Sequence, residues 1–394
     1  MKKFVSVLGS TGSIGLNALK IFKKKKNLFK INVLVANKNY RQICNQIKTF
    51  KPNIFVVNDT KVFKKVKKRF KHKKFKILNS IFKINNLKKS DITVAAIPGI
   101  AGLSSTIYMT KKSNKILIAN KESIICGWDL IKKASGINKT TIIPIDSEHF
   151  SIMKLLENQN MKEINKVYLT ASGGPFLNFK ISKLSKIKPR EAIRHPKWKM
   201  GKKISIDSAT LMNKMLENVE AQKLFSIKPN MIEIIIHPES LVHAVIELKN
   251  GLNKFIYHNT TMTIPLANAI FDGKVDIQEF IKKEKIKKNR FFLKNLNFLK
   301  VNKKRFPIIN LLSKINKHPS TPIIVNAANE ILVDQFLKSK LPFNSFYRYI
   351  SYVLNDRNYK KYAIQEPKNI SQIFLIDKWT RDITKQKIKN KKNA

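Results

Sequence analysis

Across 394 residues there are only two cysteines, Cys44 and Cys126, and they lack the spacing of paired metal ligands. A disulfide framework and a cysteine-based zinc site are excluded, and a reducing compartment is implied. Long apolar runs are missing as well, since none approaches the roughly 18–20 residues a membrane-spanning helix requires. The chain passes from Met1-Lys2-Lys3 straight into the strand-like Phe4-Val5-Ser6-Val7-Leu8, with no signal-peptide pattern. The cytoplasm is the expected location, with no membrane partner. Acidic residues are scarce, 25 against 78 basic ones, giving a formal charge of +53. Arginine is scarcer still, nine of those 78, whereas nucleic-acid readout favours its bidentate fork. Abundant Lys, Asn and Ile fit an AT-rich coding sequence better than a binding surface. No specific nucleic-acid partner is expected, although so basic a chain will bind polyanions weakly and in a salt-sensitive way.

Glycine is also rare, which makes its placement informative. Eight of the twelve, at 9, 12, 15, 99, 102, 173, 174 and 201, fall in segments that stand out for other reasons. What remains is ordinary for a folded protein, with 43% hydrophobic residues to build a core. Apolar runs at 4–8, 31–36, 54–57, 92–97, 115–119 and 141–145 alternate with helical stretches such as 13–23. That alternation predicts an α/β fold with a doubly wound parallel sheet. Strand signals at 166–171 and 232–236, a long polar loop near 188–205 and a helix over about 208–225 predict a separate α+β domain. Residues 272–306 read as a charged linker and 307–380 as a small helical domain.

Gly9, Gly12 and Gly15 stand directly after a strand and open a helix, so backbone N–H groups there can approach a pyrophosphate at the positive helix end. Where an NAD site places an acidic residue after the second strand, this chain has Asn37-Lys38-Asn39, which favours a 2′-phosphate. Asp146 and Glu148 lie on one face if the chain stays extended, and could share a hard divalent cation; a solvated N-cap cluster is the alternative. Asp207 to Thr210 read as the cap of a helix on which Asn213, Lys214 and Glu217 project near one face. Ser208 with Asn213 and Lys214 suits a phosphate and Glu217 a metal; a capped helix with one ion pair is the plainer alternative. Ser172-Gly173-Gly174 offers another anion-binding turn. His237 and His243 are expected to be satisfied structural histidines.

In order along the chain, GSTGSIG (9–15), ANKES (119–123), PIDSEH (144–149), SGGPF (172–176), HPKWKMGKKISIDSATLMNK (195–214) with Glu217, HPES (237–240) and NAANE (326–330) resemble the 1-deoxy-D-xylulose 5-phosphate reductoisomerase family. The resemblance implies a Rossmann-like NADPH-binding domain (1–149), a central α+β catalytic domain (150–271), a linker (272–306), a C-terminal helical domain (307–394) and a homodimer. It implies NADPH contacts from Thr11, Gly12, Ser13, Ile14, Lys38, Asn39, Asn120, Glu122 and Gly201, and Mg²⁺ or Mn²⁺ held by Asp146, Glu148 and Glu217. A phosphorylated ketose would meet Lys121, Ser147 and Glu148 near its reacting oxygens, and Ser172, His195, Ser208, Asn213 and Lys214 near its phosphate, with Glu217 also among its contacts and Trp198 in a flap over it. Lys121, Glu148, His195 and Glu217 are the expected catalytic set. The implied reaction is rearrangement of 1-deoxy-D-xylulose 5-phosphate through a metal-polarised carbonyl, followed by hydride transfer from NADPH, to give 2-C-methyl-D-erythritol 4-phosphate.

Three segments depart from the family pattern: Ile97 to Gly102, Asn259 to Met262, and 316–322 before NAANE. Two other readings compete. An aspartate-semialdehyde-dehydrogenase-like reductase shares the glycine turn but needs a nucleophilic cysteine opposite a histidine, and Cys126 reads as a buried small hydrophobe. A polyanion-binding protein on a degenerate scaffold would hold nucleic acid at elevated salt.

Overall fold

The computed structural model of the chain describes residues 1–71, 75–194, 198, 201–281 and 296–390. The N-terminal elements are β1 (Lys3–Leu8), α1 (Ser13–Lys24), β2 (Phe29–Ala36), α2 (Tyr40–Phe50), β3 (Ile54–Val57), α3 (Thr60–Arg69), β4 (Lys76–Leu78), β5 (Ser90–Ala95), α4 (Ala101–Thr110), β6 (Ser113–Ile118), α5 (Lys121–Ile137) and β7 (Thr141–Pro144). Then come α6 (Ser147–Leu156), β8 (Ile164–Ala171), α7 (Pro189–Ala192), α8 (Lys202–Thr210), α9 (Met212–Phe225), β9 (Ile232–Ile236), β10 (Val242–Leu248), β11 (Asn253–Tyr257) and α10 (Thr263–Phe271). The chain closes with β12 (Leu299–Lys300), α11 (Leu312–Ile315), α12 (Thr321–Leu337), α13 (Phe346–Leu354), α14 (Tyr359–Ala363) and α15 (Ile370–Asn390).

These elements form two compact units. The first comprises the described parts of 1–123, 129–150 and 261–292; the second comprises 124–128 and the described parts of 151–260 and 293–394.

In the first unit, seven parallel strands lie in the order β4-β3-β2-β1-β5-β6-β7. Helices cover a parallel sheet on both faces, which is why its strands read as continuous apolar runs such as Ile54-Phe55-Val56-Val57, buried throughout. The polar residues inside the sheet are paired: Ser6 with Ser90 at 2.7 Å, Asn32 with Ser90 at 3.0 Å, and Thr93 with Ser113 at 2.7 Å. Strand order reverses between β1 and β5, the switch point where doubly wound sheets bind ligands at their carboxyl edge. The predicted strand ends shift by one or two residues, as expected where hydrogen bonding rather than apolar character sets the limit.

The second unit holds a five-stranded sheet, β11-β10-β8-β9-β12, in which β8 and β9 are parallel and the other pairs antiparallel. Its apolar core joins Ile152, Val167, Leu169, Ala221, Ile232, Ala244 and Ile246. The region 188–205, read as a long loop, contains α7 and the start of α8. The single helix expected over 208–225 is two helices, because Leu211 takes the left-handed conformation (φ 62°) between α8 and α9. Within 272–306, Leu299 and Lys300 pair with Ile236 and Ile235 and add an edge strand. Helices α12, α13 and α15 pack together, with Ile323, Ala327, Phe336, Ile350 and Ile376 buried. Arg381 joins them by pairing with Asp377 at 2.6 Å and with Glu330.

Candidate active site

On the first unit, β1 ends in a turn in which Gly9 and Gly15 are demanded by contact. Gly9 has φ 79°, and a Cβ there would strike the Ala96 carbonyl at the end of β5; a Cβ on Gly15 would strike the Gly9 carbonyl. Gly12 is the N-cap of α1 and supplies no side-chain cap, so the N–H groups of the first turn stay open toward an anion. Thr11, Ser13 and Ile14 line this exposed-to-intermediate turn. Ser10 serves the scaffold instead, donating to Gln46 Oε1 at 2.7 Å while Gln46 Nε2 donates to the Ser10 carbonyl at 2.8 Å.

After β2, Lys38 is exposed and Asn39 caps α2, its Oδ1 accepting from the Gln42 N–H at 3.1 Å. A groove of about 620 Å³ opens beside them, lined by Asn39, Arg41, Gln42, Cys44, Lys48 and Arg69. The Arg69 guanidinium donates to the Tyr40 hydroxyl at 3.3 Å, which raises its already high pKa. Arg41 and Arg69 were not singled out from sequence, although an arginine in the first turn after Lys38 is a usable signal for a phosphate.

The next two positions divide between bracing and chemistry. Asn120 caps α5, accepting from the Ser123 N–H at 2.6 Å, and its Nδ2 donates to the carbonyls of Ile97 and Gly99. The Asn120 side chain is thereby committed to bracing the loop after β5. Glu122 is buried in the first turn of α5. The same helix starts with Lys121, whose Nζ pairs with Asp146 Oδ2 at 2.9 Å.

The chain does not stay extended past Asp146. It turns into α6, with the Asp146 carbonyl accepting from the Phe150 N–H at 2.8 Å. Asp146 and Glu148 nevertheless come together at the helix start, with carboxylate oxygens within 4.8 Å of one another, where the helix dipole favours negative charge. The Ser147 hydroxyl donates to Glu148 Oε2 at 2.5 Å. A ring nitrogen of buried His149, not chosen from sequence, also lies within 4.8 Å of an Asp146 oxygen.

On the second unit, Ser208 lies in the last turn of α8. It does not cap α9, because the break at Leu211 separates the two helices. Gly173 (φ 77°) and Gly174 (φ 67°) carry the turn after β8, with the Gly174 N–H donating to Ser172 Oγ at 3.1 Å. A Cβ on Gly174 would come 2.8 Å from Ala209 Cα and 3.0 Å from the Ser208 carbonyl, so glycine lets this turn seat directly on α8. Ser172 and Ser208 are thus held on adjoining backbones.

In the first turns of α9, Lys214 Nζ donates to Glu217 Oε2 at 2.7 Å and Asn213 Nδ2 donates to Glu217 Oε1. The Glu217 side chain is 1% exposed and that of Lys214 9%. A carboxylate this buried persists as an anion only when so satisfied. Lys121, Asp146, Ser147 and Glu148 are therefore gathered on the first unit, and Ser172, Ser208, Asn213, Lys214 and Glu217 on the second.

His195 lies outside the described residues, as does most of 195–200. Trp198 stands edge-on to the His243 ring, with centroids 6.1 Å apart. Gly201 caps α8 with an ordinary φ of −66°, and a Cβ there would meet nothing within 4 Å, so no backbone need accounts for this glycine. His237 is buried, sharing Nδ1 with the Asn297 carbonyl at 2.9 Å and stacking on Phe298. His243 Nε2 donates to the His258 carbonyl at 3.2 Å, and the two rings stack at 3.8 Å. His243 is held by packing and hydrogen bonding, as expected, whereas the buried Nε2 of His237 has no hydrogen-bond partner among the described residues, so His237 is only half satisfied. Cys126 is buried and accepts from Asn326 Nδ2 at 3.9 Å, an environment for a packed thiol rather than an attacking one.

Family models match in succession. The 1-deoxy-D-xylulose 5-phosphate reductoisomerase model covers residues 5–127, its C-terminal domain 142–225, and the DXP reductoisomerase C-terminal domain 258–383. The chain is 42% identical over 383 residues to the 1-deoxy-D-xylulose 5-phosphate reductoisomerase of Pelagibacter ubique, covering 95% of this chain and 96% of that one. It is 38% identical to that of Buchnera aphidicola, covering 98% and 99%. Among solved structures it resembles DOX-P reductoisomerase in complex with NADPH, fosmidomycin and magnesium, at TM-score 0.89 and 30% identity with both chains fully covered. It also resembles the Zymomonas mobilis enzyme in complex with NADPH, at TM-score 0.85 and 28% identity, covering 98% and 99%. With the glycine turn, the carboxylates at the start of α6 and the Lys214–Glu217 pair in their expected segments, the chain belongs to the 1-deoxy-D-xylulose 5-phosphate reductoisomerase family.

Proposed function

We propose that the chain converts 1-deoxy-D-xylulose 5-phosphate to 2-C-methyl-D-erythritol 4-phosphate by isomerisation and NADPH-dependent reduction, with a divalent metal, in the methylerythritol phosphate route to isoprenoid precursors. Full-length membership of the family carries this reading. The residues fit both cofactors. The Gly9 and Gly15 positions leave a backbone cradle that a Cβ would fill, at an uncapped helix N-terminus suited to the NADPH pyrophosphate. Asp146 and Glu148 on the first unit and Glu217 on the second are all carboxylates, the oxygen donors that Mg²⁺ and Mn²⁺ take. Two of them are paired with lysine ammonium groups, the partly exposed Asp146 with Lys121 and the buried Glu217 with Lys214.

In this reading Asp146, Glu148 and Glu217 hold the metal, which when bound polarises the substrate carbonyl and stabilises developing oxyanion charge. Lys121 orients Asp146 and adds positive charge beside the reacting oxygens. The Ser147 hydroxyl, which now donates to Glu148, turns toward a substrate oxygen. Ser172, His195, Ser208, Asn213 and Lys214 hold the phosphate, whose binding energy positions the reacting carbons. Thr11 to Ile14, Lys38, Asn39, Glu122, Gly201 and the backbone braced by Asn120 receive NADPH, with Lys38 on its 2′-phosphate. Residues 1–149 serve as the cofactor domain, 150–271 as the catalytic domain, 272–306 as the linker and 307–394 as the helical domain. The family resemblance supports a homodimer, and two buried free thiols support a cytoplasmic setting. The +53 charge is read as background without a dedicated nucleic-acid partner.

The test follows NADPH absorbance with 1-deoxy-D-xylulose 5-phosphate and Mn²⁺, Mg²⁺ or EDTA. Oxidation that needs both substrate and metal is expected; folded protein inert with every metal would refute the assignment.

A further inference from the structure

Helix α8, which carries Ser208, is held from two directions. On one side the Gly174 turn seats against Ser208 and Ala209. On the other, Asn329 in α12 reaches across 122 positions of sequence and donates from Nδ2 to Asp207 Oδ1 at 2.8 Å. Asn329 is fully buried and Asp207 is 2% exposed. The second Asp207 oxygen accepts from Lys203 Nζ at 3.0 Å. Asp207 is thus a buried anion one residue from Ser208, its charge balanced by Lys203 and its direction fixed by a neutral amide.

The orientation matters because Asp207 adjoins a strained junction. Leu211 takes a left-handed conformation that costs an L-residue roughly 1–2 kcal/mol. Thr210 Oγ1 accepts from the Met212 N–H at 3.3 Å across that junction. Strain of this kind persists only where surrounding contacts over-determine it. If Asp207 lost its amide partner, α8 could rotate about Leu211 and carry Ser208 away from Ser172, and an unsteered carboxylate would face an incoming phosphate dianion. Glu217, on α9, keeps its own partners Asn213 and Lys214.

We propose that Asn329 is a positioning residue for the substrate phosphate, acting through Asp207 to set α8 against the Ser172–Gly174 turn. The proposal rests on the functional reading above and deepens it: a residue of the C-terminal helical segment governs phosphate affinity without touching substrate.

The test compares wild type, Asn329→Leu and the reciprocal pair Asp207→Asn/Asn329→Asp, which restores one amide–carboxylate bond with donor and acceptor exchanged. Asn329→Leu is expected to raise KM for 1-deoxy-D-xylulose 5-phosphate about tenfold, with kcat within about threefold of wild type. It should clearly reduce the rise in Tm produced by a fixed concentration of inorganic phosphate and leave the Kd for NADPH unchanged. The reciprocal pair should recover most of the KM and the phosphate-induced Tm rise. Wild-type KM in Asn329→Leu, a fall confined to kcat, or a reciprocal pair no better than Asn329→Leu would overturn the proposal. Should Asn329→Leu not fold because the larger side chain overpacks the buried site, Asn329→Ser makes the same comparison without overpacking. If wild type turns over no substrate, the functional reading fails, and the phosphate-induced Tm rise still decides the role of Asn329.

Discussion

Gly15 and Gly201 both sit in expected cofactor segments, yet the structure makes opposite demands on them. A Cβ at Gly15 collides with the Gly9 carbonyl, whereas one at Gly201 meets open space. Gly15→Ala should therefore cost about 1–3 kcal/mol of stability, as overpacking does, and weaken NADPH binding measured by fluorescence titration. Gly201→Ala should leave the Tm within about a degree of wild type, as for a surface change of under about 0.5 kcal/mol. The difference follows from fold: glycine at a strand–helix turn announces a close approach, but glycine before a helix does not say whether anything is near. Sequence gives Asp146, Glu148 and Glu217 as residue types suited to one cation. Their lysine partners are less legible, because Lys121 and Asp146 are paired by β6, α5 and β7 rather than by spacing. His149, three positions from Asp146, comes beside it because the chain turns into α6 there, whereas an extended reading of 146–148 points the two apart.

Among elements, the helix ends carry much of the organisation. Asn120 caps α5 and binds two carbonyls of the loop after β5. Asn120→Ala should lower stability by about 1–2 kcal/mol in denaturant titration and raise the Kd for NADPH through the released loop. The stacked pair at β10 and β11 predicts a pH effect. Burial pushes the His258 imidazole below its ordinary value, against a smaller opposing effect of its hydrogen bond to the Asn259 carbonyl. The folded state therefore favours neutral His258. Its contribution is complete above the unfolded value near 6.5 and is lost progressively as pH falls below that value, while the unfolded chain takes up a proton. Replacing His258 by Phe should flatten the fall in Tm below about pH 6.5; an unchanged pH profile would contradict this. Strand positions were largely legible because a sheet covered on both faces writes continuous apolar runs. The break at Leu211 was not, since a left-handed leucine has no sequence signature and Asp207-Ser208-Ala209-Thr210 resembles an N-cap. Neither was the turn at Asp146 into α6, where the same residues suit a strand end or a helix start.

For the whole chain, +53 is the number most open to misreading. Lysines spread over both units should give polyanion binding governed by counterion release, steep in salt and indifferent to sequence. Binding of a labelled DNA duplex should be lost at about twice physiological salt, and retention there would restore a selected nucleic-acid role. Among the described residues no helix is long and apolar enough to cross a membrane, and Cys44 and Cys126 are free. The Asn329–Asp207 contact was beyond reach of sequence because residues 122 positions apart have no local pattern to join them.

The central claim is that carboxylates from α6 and α9 serve one metal-dependent reaction. Its most direct test is NADPH oxidation by Glu217→Gln at saturating 1-deoxy-D-xylulose 5-phosphate across a Mn²⁺ titration. A rate lower by on the order of a hundredfold or more, with NADPH affinity near wild type at a temperature where the variant remains folded, is the expected result. A Glu217→Gln protein that turns over at the wild-type rate with the wild-type Mn²⁺ requirement would contradict the account.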